Sequence, residues 1–146
     1  GYWCTPENTD TFASTGGDGV HLGFLSQSAL TEELPIDQRP VVMTLPSADT
    51  SNIVIAENLL EFLALGCRSG YFTLENIEYY GAQYVQTLEG HEYAEELSDS
   101  DLILLKSISE AFDLSPLSKI SARLEELRDR YFRLLRLSDE YHELNS

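Results

Sequence analysis

Residues 11–25 read TFASTGGDGVHLGFL, and no other stretch carries so strong a local structural signal. Two short apolar-rich segments flank Gly16-Gly17-Asp18-Gly19, a cluster that supplies the positive backbone dihedrals of a tight strand-to-strand connection. The stretch therefore predicts a β-hairpin. Val20, Leu22 and Phe24 fall on one face of its second strand, with His21 and Gly23 on the other, so a half-buried sheet begins here. The cluster is not a phosphate cradle. No Gly-Lys-Ser/Thr follows it, and Leu22 stands where the dinucleotide pattern needs a glycine.

On either side of the hairpin the signals alternate between strand and turn before turning helical. Residues 1–10 suit an edge strand or a packed arm, and residues 26–39 read as an exposed loop with one short strand near Leu34–Ile36. Val41-Val42-Met43-Thr44-Leu45, bounded by Pro40 and Pro46, predicts a strand, and Ile53-Val54-Ile55 another. Leu59, Leu60, Phe62, Leu63 and Leu65 then repeat at helical spacing, and Gly66 stands where a left-handed cap is expected. Thr73 is placed to cap a second helix with Ile77, Tyr80 and Tyr84 on its buried side, and Gly81 is a point where that helix breaks. Ser98 and Asp101 match a capping box ahead of a third helix with a Leu105, Ile108, Phe112 stripe. Ser115-Pro116 stops it and opens a fourth, from Leu117 to Leu144, expected to be the longest element. Its apolar residues pack on the third helix and sheet or form a dimer seam, and Glu126–Arg130 and Asp129–Arg133 lace its other face. The expected class is α+β: a small, mainly antiparallel sheet (residues 1–56) followed by about four helices (residues 57–146), in one domain of 146 residues.

Charge narrows the function. Asp and Glu number 25 against 9 Lys and Arg, a net charge of −16, and the first 65 residues hold a single basic side chain, Arg39. A phosphate backbone has to be met by clustered cations, so nucleic acid is not the expected partner, and neither is an anionic membrane. The imbalance favours a basic protein through steering, against the commoner reading that acidity simply keeps the chain soluble. No apolar run is long enough to cross a bilayer, and Cys4 and Cys67 lack any metal-ligand spacing, so a soluble, cytoplasmic protein without metal or cofactor is expected.

Catalytic motifs fail on spacing. In His91-Glu92-Tyr93-Ala94-Glu95 the second histidine of a zinc-protease helix is Glu95, and His142 has no second Glu-x-x-His pair for a di-iron site. Ser69 in Gly66-Cys67-Arg68-Ser69-Gly70 lacks the register of a nucleophile elbow. Glu57 and Glu61, one helical turn apart, read as solvated acids rather than an acid–base pair.

The strand-to-helix passage Asn52-Ile53-Val54-Ile55-Ala56-Glu57-Asn58-Leu59-Leu60-Glu61-Phe62-Leu63, following the hairpin and residues 39–46, resembles the SUKH superfamily, bacterial relatives of a yeast cell-wall-synthesis regulator. The usual N-terminal helix and its Leu-Pro segment are missing here. The resemblance implies an α+β domain without catalytic residues, often an immunity protein that binds and blocks a toxin, commonly a nuclease. The leading expectation is therefore a non-enzymatic binding module whose sheet-side acids Asp18, Glu32, Glu33, Asp37 and Asp49 meet a basic protein. The alternatives are a small hydrolase or metal enzyme using His21 or His91 with nearby carboxylates, and a structural homodimer through Leu117–Leu144.

Overall fold

A computed structural model describes residues 4–14, 19–46, 48 and 51–137. Strands β1 (Thr9–Ser14), β2 (His21–Leu25), β3 (Val41–Thr44) and β4 (Asn52–Ala56) form a four-stranded antiparallel sheet in the order β1-β2-β3-β4. The hairpin is present, with Ser14 opposite His21 and Thr9 opposite Leu25. Gly19 enters β2 with φ of 78°, a conformation that L side chains rarely adopt. A register shift between Thr11 and Ala13 marks a bulge, and Phe12, at that shift, stacks on Phe24 at 4.4 Å and meets Phe62 edge-on at 5.8 Å.

Helices α1 (Leu59–Leu65), α2 (Asn76–Tyr80), α3 (Ala82–Glu89), α4 (Asp99–Phe112) and α5 (Ile120–Tyr131) follow, so the class is α+β. Strand alternation sends Leu22, Phe24, Val41, Met43 and Ile55 into one core with Phe62, Leu65, Ile77, Val85 and Leu88 of α1, α2 and α3. The opposite face is covered as well. There Leu25, Val42 and Val54 pack under Leu127 of α5 and Leu135.

Local signals mislead at several points. Instead of a strand near Leu34–Ile36, the chain makes a 3-10 turn over Ile36–Gln38, closed by the Gln38 N–H on the Pro35 carbonyl. Thr73 does not cap α2: its hydroxyl pairs with Tyr84, and the helix starts only at Asn76. Gly81, at φ of 56°, separates α2 from α3, and Tyr80 faces solvent. Gly66 is not left-handed, with φ of −101°. It is small because a Cβ there would stand 2.6 Å from the Tyr71 ring. Ser98 does cap α4, accepting the Asp101 N–H at 3.1 Å, but Phe112 of the expected stripe lies outside the core.

The last helix starts later than expected. Lys119 is left-handed, and the Ile120 N–H donates to Glu89 Oε2 at 2.8 Å, a cap supplied by α3 in place of Pro116. α5 runs into a 3-10 turn, Phe132–Leu134, the two together making the longest helical stretch, and the chain is extended at Leu135. Its apolar residues lie on the chain's own sheet and α3, with Ile120 and Leu124 in the first core and Leu127 and Tyr131 in the second, while Leu117, ahead of the helix, packs with Ile108 of α4 against Ala64, Cys67 and Leu114. The seam residues beyond 137 lie outside the described residues.

Candidate functional site

The ladder aligns His21, Thr44 and Asn52 across β2, β3 and β4, and all three are buried. Thr44 Oγ1 donates to Asn52 Oδ1 at 2.8 Å, and Asn52 Nδ2 donates to the Cys4 carbonyl at 2.9 Å. His21 Nδ1 lies 2.8 Å from the Gly19 carbonyl, which can only accept, so Nδ1 carries the proton and Nε2 faces Thr5 Oγ1 at 3.0 Å. This row ties the N-terminal arm to the sheet, and both His21 nitrogens are engaged in it. His91 is exposed, between α3 and α4, and its carbonyl accepts from Arg68 Nε. Among the described residues no group of three His, Cys, Asp or Glu side chains is placed to hold a metal ion. Cys4 and Cys67 are buried and free, and burial pushes both thiols up, away from the thiolate that a nucleophile needs.

Glu57 and Glu61 are not merely solvated acids. Arg123 of α5 reaches Glu61 Oε2 through Nε at 2.9 Å and Glu57 Oε1 through Nη2 at 3.1 Å, while Arg130 meets Glu57 Oε2 at 2.8 Å. The Tyr131 hydroxyl also donates to Glu57 Oε2. That bond, with the two guanidinium groups, lowers the Glu57 pKa against the opposing effect of burial. The expected Glu126–Arg130 pair is replaced accordingly: Arg130 turns to Glu57, and Glu126 holds Arg123 at 2.6 Å. A half-buried carboxylate attracts a cation more strongly than an exposed helical neighbour does. The network fastens β4 and α1 to α5.

Of the expected partner-binding acids, Asp18 and Asp49 lie outside the described residues. Glu32, Glu33 and Asp37 are exposed on the β2–β3 connection, which its own side chains brace. Gln27 donates to the Glu32 carbonyl at 2.6 Å and accepts the Leu34 N–H at 2.8 Å, and Arg39 Nε donates to the Leu34 carbonyl at 3.0 Å. Ile36 stands 51% exposed among these acids, on a turn that lies against α1. No ion pair engages the three acids among the described residues. A braced anionic surface with an apolar centre results.

A second concave surface gave no sequence signal. It lies between the α1–α2 connection with α3 on one side and the start of α4 on the other, with Tyr71, Tyr84, Leu97 and Leu105 among its lining. Its residues come from four separate stretches, none of which is a motif. Tyr84 sits in it with a raised pKa, caused first by burial and then by Glu75 and Glu96, with the Thr73 bond opposing. No helix among the described residues is long and apolar enough to cross a membrane. Compared with family models, with curated proteins and with solved structures, the chain matches none of them.

Proposed function

We propose that the chain is a non-catalytic binding module that presents the braced acidic loop around Ile36 to a basic protein, in the manner of the SUKH-type immunity proteins it resembles. The observation that carries this reading is the unequal use of charge. Arg123, Arg130 and Arg136 are held by carboxylates, and Arg39 and Arg68 by backbone carbonyls, while Glu32, Glu33 and Asp37 face solvent on a loop that is already ordered. An ordered anionic loop loses little conformational entropy on binding and steers a cationic partner toward it.

The test is affinity capture from the source cell's lysate with the immobilised protein, at low and moderate salt, beside the E32K/E33K/D37K variant. A basic protein that leaves as salt rises and is not retained by the variant is the expected result. Equal retention of every captured protein by wild type and variant refutes the assignment.

A further inference from the structure

The concave surface beside α4 has a volume of about 380 Å³ and a consistent chemistry. Phe72 and Leu104 line it while remaining 69% and 57% exposed, and behind them lie half-buried Tyr84 and Leu97 and buried Leu105. Large apolar side chains that stand into solvent around a recess mark an interaction surface rather than ordinary exposure. A small-molecule pocket closes over most of its ligand, whereas here the exposed Phe72 and Leu104 leave the recess accessible to a protein segment. The rim is anionic. Glu96 and Asp101 belong to the lining and no Lys or Arg does. Glu92, Glu95 and Asp99, all exposed, add charge along the same connection.

We infer that this groove docks a short basic segment of a partner protein, seating an aromatic or leucine side chain between Phe72 and Leu104 with Lys or Arg against Glu96 and Asp101. Charge selects that occupant. A second copy of the chain would bring its own net charge of −16 to the rim, and residues 138–146 carry three acids and no Lys or Arg. The inference does not rest on the acidic loop around Ile36, whose residues are not part of the groove lining.

The probe is a phage-displayed library of short random peptides, selected on the immobilised protein and measured by fluorescence anisotropy. Peptides with net positive charge and an aromatic or leucine residue should be enriched. They should lose roughly tenfold or more in affinity on Leu104→Gln or Phe72→Ser, the scale of an anchor residue at a binding hot spot. Both replaced side chains are exposed, and circular dichroism checks that the variants fold. The E96Q/D101N variant should weaken binding and flatten its salt dependence. The E32K/E33K/D37K variant should keep it. Enrichment of acidic peptides, no enrichment at all, or equal binding to wild type and Leu104→Gln overturns the inference. So does equal loss on the E32K/E33K/D37K variant, which would move the peptides to the Ile36 loop. Self-association that Leu104→Gln abolishes would replace the peptide by a second copy.

Discussion

Glu57 accepts hydrogen bonds from Tyr131 and Arg123 and faces Arg130, so three donors converge on one half-buried carboxylate at the end of β4. Tyr131→Phe removes a hydroxyl without changing the ring's packing. A hydrogen bond to a charged group is worth about 1.5–3 kcal/mol, and a loss toward the lower end, since the carboxylate is only half-buried, is the expected change in urea denaturation at neutral pH. The pH dependence follows from the two shifts. Glu57's pKa is lowered on folding, so its contribution is present above its ordinary value of 4.5 and is lost as pH falls through the folded value. Tyr131 is pushed up to about 12, by burial first and then by Glu57, so its contribution is complete below 10 and disappears as pH rises through 12. Phe at 131 should reduce the alkaline loss of stability, leaving the share that Tyr71, also pushed up to about 12 by burial, contributes. An identical alkaline profile for wild type and variant would show that the pair does not stabilise the fold.

At the level of the element, α1 holds its start by reciprocal bonds. Asn58 Oδ1 accepts the Glu61 N–H at 2.8 Å, and Glu61 Oε1 accepts the Glu57 N–H at 2.7 Å, a close relative of the capping box. Glu61 also holds Arg123, so the cap of one helix is the docking point of another. Asn58→Ala should lower stability by about 1 kcal/mol, and Asn58→Asp, which keeps the acceptor, by much less. Thermal melts of the pair test this. Equal losses would mean that the residue matters for something other than its oxygen. The last helix repeats the lesson at larger range, because Glu89 from α3 caps the Ile120 N–H where Pro116 was expected to begin the turn.

Across the whole molecule, the first and last described segments are tied to each other. Asn8 is buried, donates to the Leu134 carbonyl at 2.8 Å and accepts the Arg136 N–H at 2.8 Å, while the Glu7 N–H meets the Arg136 carbonyl at 2.7 Å. Arg136 adds an ion pair to Glu7 at 3.3 Å, exposed and therefore minor. Asn8→Ala removes two hydrogen bonds at once and should cost about 2 kcal/mol, with hydrogen exchange rising in residues 132–137 before it rises in β2 and β3. Unchanged exchange in that segment would show that the Leu135 cluster alone holds it.

Strand and helix identity was legible wherever a short-range rule applied. The Gly-rich turn announced the hairpin, proline placed the β3 run, and Ser98 with Asp101 marked the start of α4, since each signal acts within a few residues of the chain. Apolar alternation likewise placed Leu22 and Phe24 opposite His21 and Gly23. Other features depended on partners far along the chain. Glu57 took Arg123 and Arg130, 66 and 73 positions away, in place of a solvated life, and Gly66 was required by the Tyr71 ring rather than by a left-handed turn. The covering of the sheet's second face by α5 together with Leu135, and the groove between Phe72 and Leu104, likewise have no local code. Hydrogen-bonding propensity and periodicity are properties of neighbouring residues, whereas burial, charge pairing and concavity exist only once distant segments have met.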